Sequence, residues 1–232
     1  MPGQTVQIRT ADGQMTAHLA RPAGAGPFPG VIVWMEAFGL NDHIKSVADR
    51  IAAEGYVTLA PDLYYREPDR LAAYSDLTKA IGLMSKLSDE HIAADVGSAL
   101  AFLKAEPGIR ADRIGMTGFC MGGRVTFLAA TRFPIQAAAP FYGGGIAGLL
   151  KGADGIRCPM VLFFGEKDGF IPLADVDKIR ERLEALGKEA EVVVYPGADH
   201  GFFCDERPSY QAAAAKDAWR RLTTLFAKSL KS

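Results

Sequence analysis

The spacing of hydrophobic positions changes along the chain, from simple alternation to continuous apolar runs. Residues 6–10 and 15–21 alternate apolar and polar side chains, and the turn sequence Ala-Asp-Gly between them predicts a β-hairpin. The later apolar runs are short and continuous, as in strands that are buried on both faces. They predict further strands over 30–36, 56–60, 113–117, 137–142, 160–165 and 190–195.

Between these runs, apolar residues recur every three or four positions. Ile92, Val96 and Leu100 form one such series, and this is the period of one face of an α-helix. The pattern predicts helices over 42–54, 90–106, 121–132, 174–186 and 210–230. Strands that alternate with helices are typical of an α/β fold, so we predict a mostly parallel central sheet of about eight strands with helices on both faces. The longest loop of turn residues, 22–30, is too short to separate domains, which predicts one domain over residues 1–232.

Composition excludes several classes of protein. The chain has 232 residues, of which 49% are hydrophobic, and a net charge of −1, so it lacks the charge pattern of a nucleic-acid or anionic-membrane binder. Its three cysteines have neither the spacing of a zinc site nor the even number of a disulfide framework. The first residues lack a signal-peptide pattern, and the apolar runs are too short to cross a bilayer. We expect a soluble cytoplasmic protein.

Polar residues follow four of the predicted strands. They are Glu36, Cys120, Asp168 and His200. Ligands of parallel sheets bind outside the carboxyl ends of the strands, so we expect these side chains to lie at one edge of the sheet. Two carboxylates, a thiol and an imidazole are the groups that an acyl-transfer site needs.

Cys120 lies in the sequence Gly-Phe-Cys-Met-Gly, which has the form of the nucleophile elbow G-x-S-x-G with cysteine in place of serine. Such a nucleophile occupies a strained turn between a strand and a helix, where glycines avoid backbone collisions. The helix that follows directs its first N–H groups at the sulfur, which favours a thiolate. The motif alone would more often mark a small buried cysteine, but the strand, the helix and the later Asp and His favour catalysis.

His200 is the histidine that follows a core strand, which favours a role as general base over a structural loop residue. His18 lies in the hairpin, and we expect His43 and His91, near helix starts, to be solvated.

Two carboxylates could orient His200. Asp199 is adjacent in sequence, but neighbouring side chains usually project in different directions. Asp168 directly follows a core strand and completes the order nucleophile, acid, histidine. The alternative for Asp168 is a turn or helix-capping aspartate ahead of Pro172.

Five stretches of the sequence resemble the dienelactone hydrolase family, the carboxymethylenebutenolidases, which is a branch of the α/β-hydrolases. They are VIVWMEAFGLND, GYVTLAPDLYYRE, GFCMGG, FFGEKDGFIP and YPGADHGFFCDERPSY, and they extend over nearly the whole chain. The resemblance implies the α/β-hydrolase fold and hydrolysis of lactone or carboxylic ester bonds through a thioester, with no metal or organic cofactor. It also implies a catalytic triad of Cys120, His200 and Asp168.

The resemblance implies further roles around the nucleophile. Glu36 would contact the thiol at rest and accept its proton when substrate arrives, and the backbone N–H groups of Met121 and Ala37 would form the oxyanion hole. The alternative for Glu36 is a strand-end carboxylate paired with an arginine such as Arg124.

Candidate substrate-binding residues are less well defined by the sequence. The resemblance implies residues that bind an anionic group of the substrate, and the candidates here are Arg207, Arg70 and Tyr74. The arginines could equally be solvated surface charges. The aromatic residues near the site predict a pocket for a small, flat or hydrophobic compound, and each could instead be core packing; they are Phe38, Tyr142, Phe202 and Phe203.

Three functions remain open on these observations. The first is the lactone or ester hydrolase, acting on a small molecule as a monomer or small homo-oligomer. The second keeps the site and changes the substrate to an aryl ester or a thioester. The third is a non-catalytic ligand-binding or redox-sensing module with Cys120 as its reactive thiol. His200 and Asp168 argue against the third, since a sensor needs neither a general base nor its orienting group.

Overall fold

Eight strands and six helices alternate along the chain in a computed structural model that describes residues 3–232. Residues 1 and 2 lie outside the described residues. They belong to the predicted domain 1–232 and to the N-terminal stretch in which we predicted no signal peptide. The strands are β1 (Gln4–Arg9), β2 (Gln14–Ala20), β3 (Phe28–Trp34), β4 (Val57–Pro61), β5 (Ile109–Phe119), β6 (Ala137–Phe141), β7 (Met160–Gly165) and β8 (Ala190–Tyr195). The helices are α1 (Asp42–Ala53), α2 (Leu77–Met84), α3 (Asp89–Ala105), α4 (Met121–Arg132), α5 (Leu173–Ala185) and α6 (Ala212–Leu230), and a 3₁₀ helix covers Ile146–Gly155.

The strands form one sheet in the order β1-β2-β4-β3-β5-β6-β7-β8. β1 and β2 form the predicted hairpin, and β2 is also antiparallel to β4. β3 pairs in parallel with β4, and β6, β7 and β8 pair in parallel in turn. The prediction of an α/β fold with a mostly parallel sheet and an N-terminal hairpin is therefore confirmed.

Contacts divide the chain into a first unit that ends at Gly115 and a second unit, Met116–Ser232. In the first unit, β4 is buried along its whole length, and α1 packs against β3 and β4 through Ile44, Val47 and Ile51. Asn41 caps α1, since its Oδ1 accepts a hydrogen bond from the Ile44 N–H at 3.1 Å. That one domain covers the whole chain stays a prediction.

The second unit has an aromatic core. The rings of Phe119, Phe141 and Phe163 follow one another with centroid separations of 4.7 and 4.3 Å. α4 and α6 pack against β6, and α5 packs against β8. β6 and β7 are buried along their whole length, so close packing fixes the positions of their carboxyl ends.

Two parts of the sequence prediction need correction. α2 was not predicted; its side chains Leu77, Ile81 and Met84 are exposed, and Ala80 and Leu83 are the ones that are buried. His91 is exposed as expected, but His43 is buried at 4% exposure although it lies in the first turn of α1. Among residues 3–232, the structure contains no helix that is both long and apolar enough to cross a membrane.

Candidate active site

Cys120 lies between the end of β5 and the first residue of α4. Its backbone has φ 54° and ψ −116°, a conformation that non-glycine residues rarely adopt. Two backbone hydrogen bonds hold it, since its N–H donates to the Phe141 carbonyl at 3.0 Å and its own carbonyl accepts from the Gly123 N–H at 3.0 Å. The strained turn predicted for a nucleophile elbow is thus present, and the side chain is partly exposed.

Gly123 is a glycine because the turn leaves no room for a side chain. A Cβ at this position would collide with the carbonyl oxygen of Phe141, at the end of β6. The first turn of α4 therefore lies directly against the backbone that follows β6. This close approach fixes the position of the helix N-terminus next to Cys120.

His200 and Asp168 form a buried pair. Nδ1 of His200 lies 2.8 Å from Oδ2 of Asp168, and the two side chains are 7% and 0% exposed. The other oxygen, Oδ1, accepts the backbone N–H groups of Phe170 at 2.9 Å and Ile171 at 3.2 Å. Asp199 instead accepts the backbone N–H of His200 at 2.6 Å, so Asp168 is the carboxylate that contacts the imidazole.

The capping alternative for Asp168 is partly realised, because its carboxylate does bind two backbone N–H groups. The N-cap position of α5, however, belongs to Pro172. One carboxylate therefore uses one oxygen to fix its own loop and the other to orient His200, which leaves little freedom in the position of the imidazole.

The surroundings of His200 favour its protonated form. Burial lowers the pKa of the imidazole, but the hydrogen bonds that it donates to Asp168 and Cys120, together with the negative charges of both groups, outweigh burial and raise the pKa to about 10. The site therefore favours an imidazolium at position 200 near neutral pH.

Aromatic rings surround the imidazole. Tyr142 and Phe170 both meet it edge to face, with ring centroids 5.1 and 5.0 Å away. Tyr142 is fully buried with φ 35°, and Phe202 packs on it at 5.3 Å. The predicted aromatic residues Tyr142 and Phe202 thus belong to the core beneath His200, whereas Phe170 is exposed and was not predicted.

Arg207 lies beside the residue that follows His200. Gly201 has φ 79°, and a Cβ there would collide with the Arg207 guanidinium. The positive φ favours glycine at this position, and the guanidinium lies against the loop of the predicted base. The role of Arg207 in binding a substrate anion stays a prediction.

Glu36 belongs to the first unit, where it follows β3 and is completely buried. Tyr74 donates its hydroxyl hydrogen to Glu36 Oε2 at 3.2 Å, and Asn41 Nδ2 donates to the Tyr74 oxygen at 2.9 Å. The Tyr74 ring also meets Phe38 edge to face at 4.8 Å, and the Ala37 carbonyl accepts the hydroxyl of Tyr64 at 3.0 Å. Tyr74, which was predicted to bind substrate, is thus a direct hydrogen-bond partner of Glu36. Asn41, which contacts Tyr74, was not among the predicted site residues, although an asparagine that caps a helix can be recognised from sequence.

Arg70 makes contacts within the first unit. Its Nε donates to the carbonyl of Glu67 at 3.0 Å, and its Nη1 lies 3.4 Å from the carboxylate of Asp62. Burial raises the pKa of Asp62, although Arg70 opposes the rise. The predicted anion-binding role of Arg70 stays a prediction.

The remaining cysteines differ from Cys120. Cys158 and Cys204 are free and buried, and burial raises the pKa of the Cys158 thiol to about 12. A thiol of this kind is unreactive near neutral pH. In the part of the chain that the structure describes, residues 3–232, no group of His, Cys, Asp and Glu side chains is arranged to hold a metal ion.

A strained residue after a parallel strand, followed in chain order by an acid and a histidine that contact each other, is the arrangement of the α/β-hydrolases. The model of the dienelactone hydrolase family matches residues 15–230. The chain belongs to this family and is a hydrolase of lactone or carboxylic ester bonds.

Relatives and solved structures agree with this assignment. A Synechocystis protein named "Putative carboxymethylenebutenolidase" is 38% identical over 97% of this chain and 96% of its own length. A Bradyrhizobium protein named "Probable 2-oxo-3-(5-oxofuran-2-ylidene)propanoate lactonase" is 31% identical over 92% of this chain and 89% of its own. The crystal structure of a "Putative Dienelactone Hydrolase" from Klebsiella pneumoniae is 37% identical, with a TM-score of 0.89 over 97% of this chain and 98% of that one.

Proposed function

We propose that the chain hydrolyses small lactones or carboxylic esters with Cys120 as nucleophile, His200 as acid and base, and Asp168 as the group that orients His200. One observation carries the proposal: the buried imidazole of His200 is hydrogen-bonded both to Cys120 and, at 2.8 Å, to Asp168. These contacts support the proposal, because covalent catalysis requires a nucleophile, a base and an orienting carboxylate that touch in this order.

In the first step, the Cys120 thiolate attacks the carbonyl carbon of the substrate. The C–O bond then breaks, the acyl group stays on sulfur as a thioester, and the leaving oxygen takes the proton of the His200 imidazolium. The N–H of Met121, at the start of α4, supports the developing oxyanion together with the positive end of the helix dipole. The second oxyanion donor, Ala37, stays a prediction, as does proton transfer from the thiol to Glu36.

In the second step, the same imidazole acts as a base. Once the sulfur is acylated, the thiolate charge and its hydrogen bond no longer raise the pKa of His200, while burial continues to lower it. Neutral His200 can then take a proton from water, whose oxygen attacks the thioester and releases the carboxylic acid and the thiolate. One molecule of water is consumed for each ester or lactone bond cleaved.

The substrate class follows from the relatives. The name of the Bradyrhizobium relative describes a lactonase of a flat, conjugated, acidic lactone, and we propose a substrate of the same bond type for this chain. Arg207, beside the loop of His200, is the cation that we propose for an acidic substituent.

The test compares wild type with Cys120→Ala and His200→Ala on a chromogenic aryl ester and on a dienelactone. We expect either variant to lose at least about 10²-fold in kcat, because each removes a member of the acyl-transfer group. Cys158→Ala is the control, since it removes a thiol outside the site. Intact-mass analysis during turnover should show an acyl adduct on wild type and none on Cys120→Ala.

The outcomes separate the candidate functions. Turnover of the aryl ester alone would restrict the substrate to simple esters and rule out the lactone. If wild type hydrolyses neither compound while iodoacetamide labels Cys120, the protein is a binding or sensing module and the proposal fails. An undiminished rate in Cys120→Ala would equally end it.

A further inference from the structure

Phe170 is an aromatic side chain left in water beside the proposed base. It is 61% exposed, more than any other large apolar side chain among residues 3–232. Scattered exposed apolar residues are ordinary on protein surfaces. Phe170 differs because both its backbone and its ring contact the proposed acid–base pair.

Two contacts fix Phe170 to the acid–base pair. Its backbone N–H donates to Asp168 Oδ1 at 2.9 Å, so it lies in the turn that holds the orienting carboxylate. Its ring meets the imidazole of His200 at 5.0 Å with an interplanar angle of 69°, which is the edge-to-face geometry that aromatic pairs favour. The ring therefore lies directly against the proposed base.

The two aromatic neighbours of His200 are not equivalent. Tyr142 contacts the imidazole at 5.1 Å and is completely buried, so its ring forms part of the core. Phe170 contacts the same imidazole and presents most of its surface to solvent. A flat apolar group that approaches His200 from solvent can thus stack on Phe170, and it removes apolar surface of both partners from water when it does so.

The position next to His200 decides which part of the substrate Phe170 meets. In the mechanism proposed above, on which this inference rests, His200 gives its proton to the leaving oxygen. Groups attached to that oxygen therefore lie on the His200 side of the scissile bond, and the acyl group lies on the Cys120 side. We propose that Phe170 is a substrate-contacting residue that selects flat, unsaturated or aryl leaving groups over saturated ones.

The experiment varies the leaving group and the acyl group separately. Acetate esters of 2-naphthol and of 2,2,2-trifluoroethanol change the leaving group, and 4-nitrophenyl acetate and butyrate change the acyl group. Phe170→Ala should lower kcat/KM for 2-naphthyl acetate about 10-fold, chiefly through KM, because one apolar contact in a binding site is worth about that factor. The kcat/KM for trifluoroethyl acetate should change less than about 2-fold. The kcat/KM values for the two nitrophenyl esters should change by the same factor, because these esters share a leaving group.

Three further variants sharpen the result. Phe170→Tyr keeps the ring and should retain the aryl preference, whereas Phe170→Leu keeps apolar bulk without the ring and should lose it. Leu173→Ala is the matched control, since Leu173 is 43% exposed at the start of α5; it should leave all four rates within about 2-fold. Because Phe170 is exposed, we expect the variants to fold, and Phe170→Leu carries the test if the alanine variant does not.

An equal loss of kcat/KM for 2-naphthyl acetate and trifluoroethyl acetate would overturn the inference. If the pH profile shifted together with that loss, the ring would serve only to shield His200 from water. An unchanged rate for 2-naphthyl acetate, or a preference altered along the acyl series, would overturn it as well. Failure of the mechanism itself looks different: Cys120→Ala would then retain turnover in the same assays, whatever Phe170 does.

Discussion

The two units of the molecule each contain a fully buried aspartate paired with a cationic partner, and the two pairs have different consequences. In the second unit, Asp168 pairs with His200 at 2.8 Å. In the first unit, Asp95, 1% exposed, pairs with Arg66, whose Nη1 and Nη2 lie 2.7 and 3.0 Å from its two oxygens. The two carboxylates are therefore similarly buried, and their shortest hydrogen bonds are similar in length.

The difference lies in the partner. A guanidinium is permanently charged, so Arg66 can neutralise Asp95 but cannot exchange a proton with a substrate. Arg66 also binds Asp12, at 2.7 Å from Nε, and hydrogen bonds from Arg66 and Tyr65 hold the pKa of Asp12 well below its usual range. An imidazole can lose and regain a proton during a reaction, so the second pair can take part in chemistry. The partner of the carboxylate therefore separates the pair that can exchange a proton from the pair that cannot.

Asp168→Asn should produce the largest effect. The amide keeps the shape of the side chain but removes the charge that holds His200 in its orientation and protonation state, so kcat should fall by about 10²–10⁴-fold. Hydrolysis of 4-nitrophenyl acetate measures the loss. Asp199→Asn is the matched control, because Asp199 contacts the backbone N–H of His200 rather than its ring. Equal losses in both variants would contradict the assignment of Asp168.

Arg66→Ala should affect stability rather than chemistry. It leaves the buried carboxylate of Asp95 without its cation, which should cost about 3 kcal/mol in the free energy of unfolding. Urea unfolding measures the change, and kcat of the folded variant should stay within a few-fold of wild type. Arg180→Ala, which breaks an exposed pair with Asp177, should cost less than about 0.5 kcal/mol. A selective loss of kcat in Arg66→Ala would mean that the two networks are not functionally distinct.

The sheet could be predicted from sequence because its signal is local. The strands 160–165 and 190–195 and the helix 121–132 have the predicted bounds, since apolar runs and helical periodicity coincide there with burial. α2 was missed because it is only eight residues long and contains Gly82, so its helical pattern is short and weak. The start of β5 at Ile109 was missed because Arg110 and Asp112, at its beginning, interrupt the apolar run.

Candidate site residues were predictable where chemistry follows a strand. Cys120, Asp168 and His200 could be named for that reason, and the contact between Asp168 and His200 was foreseen from chain order. Phe170 carries no such signal, because its exposure depends on how its turn is folded. The pairing of Arg66 with Asp95 also has no local pattern, since the two residues lie 29 positions apart and meet only in the fold.

The titratable pair predicts a pH dependence that the permanently charged pair does not. With the pKa of His200 raised to about 10, the imidazolium is present at neutral pH and is lost as pH rises through that value. The rate of acylation by trifluoroethyl acetate should therefore fall above about pH 10, roughly ten-fold per pH unit. The rate of acylation by nitrophenyl acetate should fall less steeply, because nitrophenolate leaves without taking a proton. Asp168→Asn should move the alkaline limb to lower pH, and a limb that stays in place would mean that another group sets it.

A third buried carboxylate, Glu36, accepts a hydrogen bond from the neutral hydroxyl of Tyr74. We expect the loss of that hydrogen bond to have the smallest effect of the changes considered. Tyr74→Phe removes the hydroxyl that donates to Glu36 at 3.2 Å and accepts from Asn41 at 2.9 Å, and it should cost about 1 kcal/mol in the free energy of unfolding. Tyr210→Phe, at an exposed position, is the control and should cost almost nothing.

The rate of acylation then decides what Glu36 does. If Glu36 helps to generate the thiolate, weakening its hydrogen bonding should change the pre-steady-state release of nitrophenolate by about 2- to 10-fold, because the amount of reactive thiolate would then depend on Glu36. The Tyr210→Phe variant should release nitrophenolate at the wild-type rate. A destabilised Tyr74→Phe variant with an unchanged release rate would assign Glu36 to structure, alongside Asp95. The titratable chemistry would then belong to Cys120, His200 and Asp168 alone.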